Sequence, residues 1–328
     1  MTTAPLRILL SAPAAQQLSA PLAALLADRA HSLVTPDEAG ASGADIAFVS
    51  RDVTGLSTKH QVMPGTRRMH DAMRAATGLR WVHIHSAGAD RPVYVELRAR
   101  GVQVTTSSGA NAPVVAQTAL LGLLALARHW PRLLAAQRAH AWEPLIASGL
   151  PRDLQGQQAV VVGWGPVGRE LARLLQAVGL RVTVVRRQAH PAAEGYRTVE
   201  SARLHEALPD ADWLLLACPL TDATRGLVGA PELALLPPHA GLVNVARGEV
   251  VDEHALVDAL RAGRLAGAYL DVFAHEPLPA DSALWDLPNV IATPHSAGFS
   301  DGNEERVARM FLDNLSRWLR GEPLANLA

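Results

Sequence analysis

The stretch AVVVGWGPVGRELARLLQAVGLRVTVVRR, Ala159 to Arg187, decides the fold. Its first four residues are apolar and fit a short, fully buried parallel strand. Gly163, Gly165 and Gly168 follow at G-x-G-x-x-G spacing. The first suits a tight turn, the second a close approach to a pyrophosphate, and the third close packing of helix on strand. Pro166 fits the first helical turn, where a missing N–H costs little. Leu171, Leu174, Leu175 and Val178 mark the apolar stripe of that helix, Gly179 ends it, and Val182 to Val185 form the next strand. A glycine fingerprint between strand and helix in a unit of this length indicates dinucleotide binding.

Around this unit, 328 residues suggest two domains. A hydrophobic content of 49% with 19% charged residues supports a sizeable core and argues against disorder. The net charge of −1 supplies no polybasic field, so neither nucleic acid nor an anionic membrane is expected as a partner. A single cysteine, Cys218, excludes an intrachain disulfide and reads as a small packing residue rather than a nucleophile. The opening MTTAPLRILLSAP reads as a first strand, not a leader, and a cytoplasmic protein is expected.

Short apolar strands alternate with helices before and after the glycine unit, which predicts parallel sheets. Strands are expected near 6–10, 44–49, 79–84 and 102–104, then near 213–217, 241–245, 266–270 and 290–291, with a final amphipathic helix over 303–319. The segment 53–65 reads as a loop. Residues 111–140 read as a long, mostly helical stretch, apolar on nearly every face and kinked or divided at Pro131, which predicts burial on all sides. It could join two domains or pair two copies of the chain.

Arg247, Glu276 and His295 each stand just beyond a predicted strand end, where open α/β sheets bind ligands. A cation, a carboxylate and an imidazole suit hydride transfer to a 2-oxo acid. Histidine can protonate the developing alkoxide, a carboxylate can hold its ring, and a guanidinium can grip a carboxylate and polarise the adjacent carbonyl.

Four stretches, VVGWGPVGRELA (161–172), LVNVARGEVVDEHAL (242–256), LDVFAHEPLP (270–279) and TPHSAG (293–298), resemble the D-isomer-specific 2-hydroxyacid dehydrogenases. WVHIHSAGAD (81–90) and ACPLTDATRGLVG (217–229) extend the likeness. The resemblance implies two doubly wound, Rossmann-like α/β domains with parallel sheets. A dinucleotide domain, 107–296, would be inserted into a substrate domain of 1–106 and 297–328. It implies Arg247 as the substrate-binding and polarising arginine, His295 as acid/base and Glu276 as its partner. The backbone of Ala87, Gly88 and Ala89 would hold the substrate carboxylate. The cofactor would lie along Gly163, Gly165, Pro166, Val167 and Gly168, then Cys218-Pro219, Val245-Ala246 and His295, with Asp271 near the nicotinamide carboxamide. The implied activity is that of a glyoxylate or hydroxypyruvate reductase, working as a homodimer joined through 111–140. Alternatives are a formate dehydrogenase-like enzyme, which Glu276 in place of glutamine opposes, and a nucleotide-sensing, corepressor-like protein of the same fold.

The strand after the fingerprint ends in Arg186-Arg187, where NAD enzymes carry an acid for the ribose 2′-OH. Two guanidinium groups there favour a 2′-phosphate, so NADP(H) is expected over NAD(H). Four features stay open. His83 and His85 form an H-x-H pair, and no metal is expected there. Arg51 fits either a substrate's distal end or an ion pair with Asp52 or Asp90. Trp142 fits either a site lid, of its own or a neighbouring subunit, or core. Gln117 stands where the family often has glutamate.

Overall fold

A computed structural model describes residues 5–38, 40–147, 149–188 and 195–328. It divides into two compact units, 1–110 with 300–328, and 111–299. The boundaries fall at Ala110/Asn111 and Phe299/Ser300, against 106/107 and 296/297 from the sequence.

The first unit is a five-stranded parallel sheet in the order β2-β1-β3-β4-β5. Its strands are β1 (Leu6–Leu9), β2 (His31–Val34), β3 (Ile46–Val49), β4 (Trp81–Ile84) and β5 (Gln103–Thr106). Alternate residues of β3 feed opposite faces: Ile46 and Phe48 pack with Leu6, Ile8 and the closing helix Asn303–Leu319, and Ala47 and Val49 pack with Met69, Met73 and Leu97. Helices α1 (Ala12–Leu25), α2 (Arg51–Thr54), α3 (Pro64–Ala75) and α4 (Pro92–Ala99) connect the strands. The segment expected as a loop from 53 thus begins within α2 and ends at the Pro64 start of α3.

The second unit opens with α5 (Ala112–Ala127) and α6 (Trp130–Arg138), which meet at 70°. The stretch is divided, as expected, but before Pro131, at His129, whose φ of +54° is left-handed; Pro131 sits in the first turn of α6. Burial on all sides does not hold. Helix α5 buries Ala112, Val115, Ala116, Ala119, Gly122 and Leu123, but Leu121 is 65% exposed, and α6 buries only Ala136. No single helix among the described residues is long and apolar enough to cross a membrane.

Seven parallel strands follow in the order β12-β11-β10-β9-β6-β7-β8. They are β6 (Gln158–Val162), β7 (Arg181–Arg186), β8 (Arg197–Glu200), β9 (Trp213–Leu216), β10 (Gly241–Asn244), β11 (Gly267–Leu270) and β12 (Val290–Ala292). Helices α7 (Pro166–Ala177), α8 (Ala230–Leu235) and α9 (Glu253–Arg261) join them. Ala159 and Val161 of β6 point into a core shared with α5 and α7; Val160 and Val162 point into the opposite core with Leu256 and Leu260 of α9. A strand buried on both faces explains why the sequence reads as an unbroken apolar run. Strand order reverses between β6 and β9, the place where doubly wound sheets bind ligands.

Candidate active site

At that reversal β6 runs into the glycine loop. Gly163 has φ +109°, and a Cβ there would lie 2.7 Å from the Ala217 carbonyl beyond β9; one at Gly168 would lie 2.0 Å from Gly163 O. A Cβ at Gly165 meets nothing within 4 Å. The chain's own packing requires the outer glycines, whereas Gly165 faces open space at the start of α7, where first-turn N–H groups have no helical acceptor. Such a cradle fits a dinucleotide pyrophosphate. Trp164 packs edge-on against Tyr196 at 5.3 Å, with the Arg169 guanidinium 5.8 Å from its ring. The sequence reading missed this support, whose members are 27 and 32 residues from Tyr196.

The other predicted cofactor positions also lie past carboxyl ends of strands. Pro219 O accepts from Thr224 Oγ1 at 2.7 Å, and Val245 N–H donates to Leu216 O at 3.2 Å. Cys218 and Ala246 are buried, and burial pushes the Cys218 thiol up to about 11, which suits packing. Arg186 ends β7, half-buried, in register beside Glu200 of β8, and Arg187 is exposed.

Arg247 follows β10. Asn244 shapes the turn: its Oδ1 accepts from Ala246 N–H and its Nδ2 donates to Arg247 O, both at 3.0 Å. At Gly248 a Cβ would lie 1.8 Å from the Phe273 carbonyl carbon, so this turn packs directly on the one after β11. Glu276 on that second turn accepts from Phe273 N–H at 3.1 Å and from His295 Nδ1 at 2.8 Å. Burial alone would raise the Glu276 carboxyl. The His295 hydrogen bond and charge, the Phe273 N–H and the Arg247 charge outweigh it and hold the group below the usual carboxylate range. The structure therefore brings all three predicted residues together. Nδ1 of His295 is taken by Glu276, and about half of the side chain is exposed.

His295 itself has a left-handed φ of +49°, a conformation costing roughly 1–2 kcal/mol for a non-glycine residue. Asp271, 2% exposed, holds it there. Its backbone O accepts from His295 N–H at 2.8 Å. Its carboxylate accepts from Thr293 Oγ1 (2.7 Å), Ser296 N–H (2.8 Å) and Ala297 N–H (3.0 Å). Burial raises the Asp271 carboxyl above its ordinary value, opposed by those three donors and the His295 charge. The residue expected beside a nicotinamide carboxamide thus spends both oxygens on the turn that carries His295.

In the first unit, Ala87, Gly88 and Ala89 follow β4 in a bend closed by Ser86 Oγ donating to Gly88 O at 2.9 Å. Among the described residues their three N–H groups donate to no protein acceptor, and such a run of amides suits a carboxylate. Asp90 pairs with Lys59 at 3.0 Å, and Arg51 lies half-buried in the fields of Arg91 and Glu304. His83 bonds Thr105 Oγ1 and Ser107 Oγ, and His85 bonds Thr54 Oγ1. Trp142, in the second unit, is 95% exposed and is not core; Gln117 is exposed on α5.

A glycine loop at the strand-order reversal, with an arginine, a carboxylate and an imidazole on turns at strand ends of the same sheet, fits a nicotinamide-dependent oxidoreductase. Residues 120–297 match the model of the D-isomer specific 2-hydroxyacid dehydrogenase NAD binding domain. The glyoxylate reductase of Thermococcus gammatolerans is 36% identical over 282 residues, 83% of this chain and 81% of that one. The (S)-sulfolactate dehydrogenase of Chromohalobacter salexigens is 36% identical over 264 residues, 77% and 82% of the two chains. A D-isomer specific 2-hydroxyacid dehydrogenase from Xanthobacter autotrophicus, solved with NADPH and MES, superposes with a TM-score of 0.78 at 30% identity, over 99% of this chain and 98% of that one. The chain belongs to the D-isomer-specific 2-hydroxyacid dehydrogenase family and is an NAD(P)-dependent dehydrogenase acting on CH–OH groups.

Proposed function

We propose that this enzyme reduces a small 2-oxo acid of the glyoxylate or hydroxypyruvate kind to the D-2-hydroxy acid, with NADP(H) preferred over NAD(H). The observation that carries the reading is the 2.8 Å bond from His295 Nδ1 to Glu276, beside Arg247. A nicotinamide dinucleotide, when bound along the glycine loop, would supply or accept the hydride. Arg247 grips the substrate carboxylate and polarises the carbonyl. His295, charged through Nε2 and held by Glu276, gives its proton to the carbonyl oxygen as negative charge develops there, and recovers one in the reverse direction. In this reading residues 111–299 bind the dinucleotide and the first unit binds the substrate.

Arg186 and Arg187, at the end of β7, support the NADP(H) preference. Exposed Leu121 on α5 and Trp130 on α6, which a second copy would cover, support a homodimer joined through 111–140. A cytoplasmic enzyme, where NADPH is supplied, completes the proposal. The test is oxidation of NADPH and NADH against glyoxylate, hydroxypyruvate, pyruvate and a sulfonated 2-oxo acid. Turnover with NADPH at the higher kcat/KM is expected, and Arg186→Ala should cost roughly tenfold in KM for NADPH alone. A preference for NADH overturns the cofactor assignment, and no turnover with any 2-oxo acid overturns the substrate class.

A further inference from the structure

The turn that carries His295 is fastened from a direction that the catalytic reading does not use. Tyr269 lies on β11, two residues before Asp271, with its ring packed against α5. There a Cβ at Gly122 would come 2.2 Å from the ring, so the helix is notched to admit it. The Tyr269 hydroxyl lies 2.8 Å from Thr293 Oγ1, and Thr293 Oγ1 lies 2.7 Å from Asp271 Oδ1. The proton order in this chain is fixed by chemistry. An ionised carboxylate only accepts, so Thr293 donates its single proton to Asp271. Tyr269 must then donate to Thr293.

We infer that Tyr269, acting through Thr293 and Asp271, is a positioning residue for His295. Hydrogen bonds in line polarise one another, so the phenol strengthens the bond by which Thr293 holds Asp271. Asp271 in turn fixes three consecutive points of the turn, the N–H groups of His295, Ser296 and Ala297. Thr118 Oγ1 of α5 adds a bond to Ala297 O at 3.2 Å. The helix that admits the Tyr269 ring therefore also grips the far end of the turn. The left-handed His295 backbone would otherwise relax and carry the imidazole off its line to Glu276.

The inference rests on the reading of His295 as the acid/base group, and its test separates the two. Tyr269→Phe removes one oxygen and keeps the ring in its notch, and Thr293→Val removes the middle hydroxyl. Each should lower kcat about 3- to 10-fold with KM values within about twofold of the parent, because a small displacement of a catalytic group penalises the chemical step. Because the two act in one chain, the double variant should be no slower than Thr293→Val alone. Thr293→Ser, which keeps a hydroxyl, should recover most of what Thr293→Val loses. Independently of activity, amide hydrogen exchange at Ser296 and Ala297 should quicken about 5- to 10-fold in Tyr269→Phe while exchange in β6 is unchanged. Parent-like kcat and exchange in Tyr269→Phe, or losses that multiply in the double variant, overturn the inference. If exchange quickens as expected while His295→Ala retains full activity, the positioning chain stands and the acid/base reading falls.

Discussion

Two histidines, His83 and His295, show how much a side chain's partners decide. His83 on β4 is wholly buried, with Nδ1 2.8 Å from Thr105 Oγ1 and Nε2 3.1 Å from Ser107 Oγ. Both ring nitrogens are satisfied by neutral hydroxyls, and burial, with His85 nearby, pulls the ring down to about 3. His295 has one nitrogen on a carboxylate and about half its side chain exposed. Hydroxyls on both sides make a neutral structural element; a carboxylate on one side and a half-exposed ring are what the proposed proton donor requires. The two rings differ in what they face, not in what they are.

The largest break in that comparison comes from His295→Ala, which should lower kcat by roughly 10²–10⁴-fold. The melting temperature should stay near that of the parent, since the ring is half exposed; steady-state rates with a thermal melt check both. His83→Leu should do the reverse. It strips partners from Thr105 and Ser107, which also serve Trp81 Nε1 and Ile84 O, and should cost about 2–4 kcal/mol of stability with kcat preserved. Denaturant unfolding followed by rates below the transition would show it, and a loss of kcat without loss of stability would erase the distinction.

The smallest effect sharpens the comparison through pH. His70 is also buried, with its ring lowered to about 4 by burial and by Arg91 and Arg74, partly opposed by Asp71. Below about pH 6.5 the unfolded chain takes up protons that folded His70 and His83 refuse, so their stabilisation is complete above that pH. It is lost as pH falls toward 4 and then 3. Each refused proton contributes a slope of about 1.4 kcal/mol per pH unit. Chemical denaturation between pH 7 and 4.5 should therefore show a shallower slope in His83→Gln, and an unchanged slope would mean that His83 is already charged in the fold.

Much of this was legible because it was local. The glycine loop, the double-sided strand β6 and the closing helix are patterns within a few residues, and they stand where their spacing places them. Arg247, Glu276 and His295 were legible as strand-end residues, and the close approach at Gly248 is what turns that placement into proximity. Two edge strands, β2 and β8, left no signal: HSLV and RTVE are polar and only partly buried, since an edge has less core to face. The break after α5 was placed two residues late because proline is the loudest helix breaker, whereas the chain bends through a left-handed His129. Asp271, Thr293 and Tyr269 combine across strands, and periodicity within one segment says nothing about such a union.

The notch at Gly122 carries a consequence for how this chain can change. Any side chain there would strike the Tyr269 ring, so Gly122 cannot gain a side chain while a ring stands at 269. An alanine in the helix must be matched by a smaller residue in β11, and the phenol would go with it. Relatives that carry a side chain at the helix position should therefore lack an aromatic ring at the strand position. A replacement that looks conservative on a helix would then be inherited as a pair or not at all.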